Sequence, residues 1–395
     1  MRNNHYQNSP EYRMYKLSEI WLPLKKVPPA ADLIRTKNKL IFYLYKKIKQ
    51  EYQQFPRRKN GEDPFLHPLN TFYYLQKAGV EDTITLAAGL LHDYIEEKVD
   101  LYKRQNHLAE DVKSIRILND YESKLLAELE QELQQVCKAN RLDPVLVKKI
   151  TAIVSILTRN KRHLYYRSIS EIFNCKDEKT KERTIQIKLA DRMHNIQTLS
   201  SYNEEGKIYQ CFKNMFILNN TKMYLLNLKE KKKKRDLYSL EKLFKKCCKA
   251  TYEAFLDVCH QSLIHKISRI KTVLHLALKK FAFESGGLWA VTTINVDETH
   301  PMRLFRGIIR KYDARLHLEF DRFKKMENSE IDYCRKFFAD FNFSDAELQS
   351  LIYYKDAYAL KEVVARLLYK PKYVISRFGC SELCTRGQIC MHYQK

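Results

Sequence analysis

Four residues in three separated segments have the donor chemistry of a divalent-cation site: His67 in DPFLHPL, His92 and Asp93 in AAGLLHDYIEEK, and Asp191 in IKLADRMHNIQTL. Two imidazoles and two carboxylates suit a borderline ion such as manganese, iron or zinc, with positions left for water and a substrate oxygen. An ion of this kind lowers the pKa of bound water and clamps a phosphate oxygen, while a nearby carboxylate orients the nucleophile for in-line attack on phosphorus. Each piece alone is weak. A His-Asp dipeptide arises by chance, and a helix-borne Asp beside an Arg is more often a surface pair than a ligand. Set into apolar runs such as LAAGLLHD and IQIKLADR, however, these ionisable groups are costly to desolvate without a metal or a partner.

Helices must position these groups. On a single helix His92 and Glu96 stand four apart and Asp93 and Glu96 three apart, so the spacing predicts that ligands and a potential acid/base share one face. In the third segment Asp191, His194 and Asn195 lie at i, i+3 and i+4, with Ile187, Leu189, Ala190, Met193 and Ile196 available for burial. One polar stripe is thus expected to cross two helices. Glycine supplies only 9 of 395 residues and proline 10, against a usual glycine share of about 7%, which disfavours turn-rich β architectures and Gly-rich phosphate loops. From about Ala31 to Leu228 the apolar positions recur at helical spacing: Leu40, Tyr43, Leu44 and Ile48 fit one face, and Leu86, Leu90 and Tyr94 another. Asp143 before Pro144 predicts a helix over Val145 to Leu157. The expected fold class is all-α, an antiparallel helical bundle followed by a mostly helical C-terminal domain.

Residues 1–33, with Pro28 and Pro29 in succession, read as an arm, 34–228 as the bundle and 229–395 as an accessory domain. The boundary is set at KEKKKKR (Lys229 to Arg235), where dense like charge favours solvent over a patch for nucleic acid or membrane. After it, Leu288 to Val296 is expected to form a strand preceded by Gly286 and Gly287. A net charge of +24 points to anionic partners without choosing among them. Ten scattered cysteines and an N-terminus without an apolar signal core lead us to expect a reducing cytoplasm. No apolar run approaches the ~18 residues of a membrane span.

Three motifs, in order, carry a family resemblance. Arg58 to Leu69 (RKNGEDPFLHPL), Thr83 to Glu97 (TITLAAGLLHDYIEE) and Lys188 to Leu199 (KLADRMHNIQTL) resemble the HD-type hydrolase domain of RelA/SpoT enzymes and small alarmone hydrolases. The separations agree as well: 25 positions lie between His67 and His92 and 98 between Asp93 and Asp191, with VSILTR (Val154 to Arg159) where that family has an intervening helix. The match covers about Ile34 to Leu228, roughly half the chain.

The resemblance implies a manganese-dependent hydrolase that removes the 3′-pyrophosphate of guanosine tetra- or pentaphosphate, leaving GDP or GTP and pyrophosphate. By position it implies that His67, His92, Asp93 and Asp191 hold Mn2+ and that Glu96 and Glu97 position or deprotonate the attacking water. It further implies that Arg58, Lys59 and Asn195 contact the nucleotide. Glu97 stands where the family usually has Asp, a departure of one methylene. Arg57, Lys161 and Arg162 add basic groups that suit a pyrophosphate. No segment resembles the synthetase half of the bifunctional enzymes.

Two other readings stand beside this one: an HD phosphohydrolase of another nucleotide, such as NADPH or a deoxynucleotide, and a non-catalytic alarmone-binding sensor, which has no need for both Glu96 and Glu97. The C-terminal region is expected to regulate or localise the hydrolase through an unidentified partner. There, Cys380, Cys384, Cys390 and His392 are zinc-ligand types at irregular spacing, read as adventitious. Tyr353, Tyr354, Lys355, Tyr369, Lys370, Lys372 and Tyr373 interleave aromatic and basic groups, but without an RNA-binding motif packing is preferred to nucleic-acid stacking.

Overall fold

The computed structural model describes residues 38–109, 111–158, 165–229, 237–264 and 307–380. Among them the chain is all-α, with no strand. The helices are α1 (Lys39–Glu51), α2 (Leu66–Ala78), α3 (Thr83–Leu91), α4 (Tyr94–Gln105), α5 (Val112–Ala139), α6 (Val145–Leu157), α7 (Tyr165–Asn174), α8 (Glu178–Gln197), α9 (Glu204–Lys229), α10 (Tyr238–Ile264), α11 (Ile308–Leu316), α12 (Phe320–Phe337) and α13 (Asp345–Tyr369). The arm 1–33, the expected strand Leu288 to Val296, the basic run after Lys229, and Lys161, Arg162, Cys384, Cys390 and His392 lie outside the described residues.

The described chain divides into two compact units, residues 38–198 with Leu228–Phe244, and Leu199–Asn227 with residues 245–380. In the first, α8 packs on α2, α3 and α6, and α3 also packs on α1 and α2. The core is built from Leu44, Leu75, Ala88, Leu90, Ile150, Val154 and Leu189, all without solvent exposure. Burial of each larger aliphatic side chain contributes about 1.5–3 kcal/mol. Local signals place the helix starts. Asn38 accepts from the Leu40 and Ile41 amides, Asp82 from Thr85 and Asp177 from Thr180, each satisfying donors that a helix N-terminus leaves open. Asp143 likewise accepts from the Val145 amide at 2.9 Å, opening α6 over the expected residues.

The second unit departs from the boundary expected at Lys229. Helix α9 belongs with the C-terminal helices, because its buried Asn219 binds backbone there: the side-chain amide donates to the Ile375 and Phe378 carbonyls at 3.2 and 3.0 Å and accepts from the Ile375 amide at 2.7 Å. Lys222 adds bonds to the Leu367 and Lys370 carbonyls. Helix α13 is buried around its circumference despite its charges, since Lys355 and Asp356 meet partners on α11 and α12. Cys380 is buried, and its amide donates to Asn220 at 2.8 Å.

Candidate metal centre

His67 lies in the first turn of α2, where Asp63 turns the chain by accepting from the Phe65 amide at 2.9 Å. Pro68 follows it within that turn, where a missing N–H leaves no helix bond unmade. The second segment differs from the expected single helix. Helix α3 ends at Leu91 and α4 begins at Tyr94, so His92 closes one helix and Asp93, at φ −106° and ψ −1°, precedes the next. The His92 ring helps to explain the break: its Nδ1 bonds at 2.9 Å to the Gly89 carbonyl, one of those a helix C-terminus leaves unpaired. Gly89 also lets α2 and α3 approach, since a Cβ there would lie 2.6 Å from Leu75 Cδ1. The third segment is as expected, with Asp191, His194 and Asn195 on one stripe of α8.

These elements gather the four expected donors. His67, His92, Asp93 and Asp191 each offer one ligand atom, and all four atoms lie within 4.8 Å of one another. The His67 Nε2 stands 3.0 Å from Asp93 Oδ2, 3.1 Å from His92 Nε2 and 3.3 Å from Asp191 Oδ1, and His92 Nε2 stands 3.4 Å from Asp93 Oδ2. An ion that binds nitrogen and oxygen at about 2.1 Å holds neighbouring donors about 3.0 Å apart in an octahedron and about 3.4 Å apart in a tetrahedron. The donor set therefore fits a divalent ion in both chemistry and spacing.

The surrounding charges keep the carboxylates ionised. Burial opposes ionisation of Asp191, but the Lys188 ammonium at 2.8 Å and the His67 ring outweigh it and hold the carboxyl well below the usual range. Burial also works against the Asp93 carboxylate, and His92 and His67 again hold it well down. His92 is shifted upward, because Asp93 and Asp191 outweigh the effect of its burial. His194 goes the other way: burial, then His67 and Arg58, keep its ring neutral.

Glu97 is pushed up to about 7 by burial and by Asp93, Asp100 and Glu96, with Arg58 opposing. Both Asp93 and Arg58 thus act on it. Glu96 is half-buried on the same turn of α4. Arg58 Nη2 donates to Asn195 Oδ1 at 2.7 Å, and the Asn195 amide donates in turn to Asp191. Lys59 is exposed on the loop that carries Arg58.

Lys188, Glu62 and Tyr52 also act at this cluster, with no role expected for them from the sequence. Lys188 stands one helical turn before Asp191, a spacing that signals an ion pair. Glu62 Oε2 lies 3.6 Å from His194 Nε2. The Tyr52 hydroxyl is buried without a hydrogen-bond partner among the described residues, and Asp93 and Glu97 raise its pKa further beyond the effect of burial. Neither pairing has a local signal in the chain. No family model, curated protein or solved structure matches this sequence.

Proposed function

We propose that this protein is a metal-dependent phosphohydrolase that removes the 3′-pyrophosphate of guanosine tetra- or pentaphosphate, with Mn2+ held by His67, His92, Asp93 and Asp191. The observation that carries the reading is the convergence of these four donors within 4.8 Å. The order and spacing of their motifs support the choice of substrate. When bound, the ion supplies an activated water and a Lewis acid for a phosphate oxygen.

The remaining work falls to side chains. Asp93 and Asp191 stay ionised and supply the negative charge that a divalent cation requires. Glu97, which Asp93 and Arg58 influence directly, takes up the proton of the attacking water, and Glu96 beside it tunes that carboxylate. Arg58 meets the phosphates with a planar, permanently charged donor. Asn195 couples the Arg58 side chain to Asp191, so the nucleotide-contacting side and the ligand side share one amide. Water adds to phosphorus as the 3′ oxygen leaves with the pair of electrons of the broken P–O bond.

A substrate panel on the manganese-loaded protein tests the reading. Guanosine tetraphosphate is expected to turn over well ahead of NADPH and deoxynucleoside triphosphates. Preference for an adenine nucleotide would move the activity to another phosphohydrolase class, and tight alarmone binding without product would make the protein a sensor.

A further inference from the structure

The two histidines of the donor set are oriented by different kinds of acceptor. His92 faces the Gly89 carbonyl, which can only accept, so its Nδ1 carries a proton and its Nε2 lone pair is left for a ligand role. His67 has no such fixed acceptor. Its Nδ1 lies 2.8 Å from the Nδ1 of His194, and two ring nitrogens at that distance share one proton that either can own. If His194 owned it, His67 would carry its proton on Nε2, the atom that must face the ion. The choice is therefore set by whatever fixes the proton of His194.

The far side of that ring supplies the answer. His194 is without solvent exposure, and its Nε2 makes no hydrogen bond among the described residues. A carboxylate oxygen, Glu62 Oε2, stands 3.6 Å from that nitrogen, too long for a formed hydrogen bond but close enough to favour a proton there. Glu62 is held in a tight turn, with the Arg58 amide donating to its carbonyl at 3.0 Å and the Gly61 amide to the Arg58 carbonyl at 2.8 Å.

We propose that Glu62 and His194 form an outer chain that places the proton of His194 on Nε2, receives the Nδ1–H of His67 at His194 Nδ1, and so presents the His67 Nε2 lone pair to the cation. His194 and Glu62 are positioning residues. This inference rests on the reading of His67 as a ligand and adds what makes it one. Outer partners of metal-bound histidines are commonly worth about 10- to 100-fold in metal affinity.

The test uses the full chain and two readouts. Long-range 15N correlation spectra of the metal-free protein should show His67 protonated at Nδ1 and His194 at Nε2. Calorimetric titration with Mn2+ alone should then show affinity reduced roughly 10- to 100-fold in H194A and about tenfold in E62Q. Because H194A removes a fully buried ring, E62Q and the wild-type spectrum carry the test if that variant fails to fold. A wild-type His67 protonated at Nε2, or an E62Q protein that binds Mn2+ as tightly as the unaltered chain, would overturn the outer chain while leaving the metal site standing. No Mn2+ binding by the unaltered protein would overturn both.

Discussion

Arg58 and Asn195 are joined by a 2.7 Å hydrogen bond that spans 137 residues of sequence, and the same Asn195 side chain donates to Asp191. A basic group suited to phosphate is thereby tied to a ligand of the proposed ion. Arg58→Ala should leave Mn2+ affinity nearly unchanged and lower kcat/KM about 10- to 100-fold, the size of one lost charge-assisted bond. Asn195→Ala should weaken both. Calorimetry and steady-state kinetics on the two variants separate these outcomes.

Replacing either carboxylate ligand should abolish metal retention while leaving the helical circular dichroism intact. The two variants should differ in stability. Asp191→Ala strands the Lys188 ammonium, whose side chain keeps only 19% exposure, and should cost about 3 kcal/mol, the lower end for breaking a buried pair. Asp93→Ala strands no lysine and should cost less. Urea melts of the metal-free proteins provide the comparison, and full metal occupancy in either variant would remove that residue from the ligand set.

Glu97→Gln should keep the metal and slow turnover by roughly 10²- to 10⁴-fold, as for a group that handles the proton of the nucleophile. Glu96→Gln should slow it less, because Asp93 and Arg58 act directly on Glu97. Metal analysis paired with single-turnover rates decides the matter. Equal losses would make the two carboxylates a unit.

Much of this was legible in the chain. Ionisable groups set into apolar segments, DPFLHPL, AAGLLHDYIEEK and IKLADRMHNIQTL, pick out the four donors that the fold gathers, and Asp143 with Pro144 marks the start of α6. The break between His92 and Asp93 was not legible, since no glycine or proline interrupts HDYIEE and the end of α3 is marked by a side chain that bonds back to Gly89. Nor was the membership of α9. Asn219 looks like a surface residue until Ile375 and Phe378, more than 150 positions away, bring their backbone groups to it. The burial of α13 was hidden for the same reason, because Glu330 and Lys311, which meet Lys355 and Asp356, lie on α12 and α11.

That buried network gives the second unit a pH signature. Burial disfavours the Asp356 carboxylate, but Lys311 and Lys355 outweigh it and hold its pKa below the usual value. Burial likewise disfavours the Lys311 ammonium, while Asp356 and Glu330 raise its pKa above the usual value. The stability due to Asp356 is present above the unfolded carboxyl value of about 4 and is lost as pH falls through the lower folded value. That due to Lys311 is present below about 10.4 and is lost as pH rises through the higher folded value. Stability should therefore be flat with respect to this network between those limits, and Asp356→Asn should flatten the acid limb in denaturant melts recorded across pH.

Asn219→Ala should lower stability by about 2–4 kcal/mol, since it leaves the Ile375 amide and two buried carbonyls without their partner. None of the four proposed ligands lies on α9, so Mn2+ affinity should be retained under native conditions. Thermal melts and calorimetry on this one variant test the division of the chain into two units.

The central claim is most directly tested by incubating the manganese-loaded protein with guanosine tetraphosphate in H2¹⁸O and following products by ³¹P NMR and mass spectrometry. The proposed attack of water on phosphorus predicts GDP and pyrophosphate, with the label in pyrophosphate and none on the nucleotide 3′ oxygen. Absence of turnover by protein that retains its bound manganese would contradict the account.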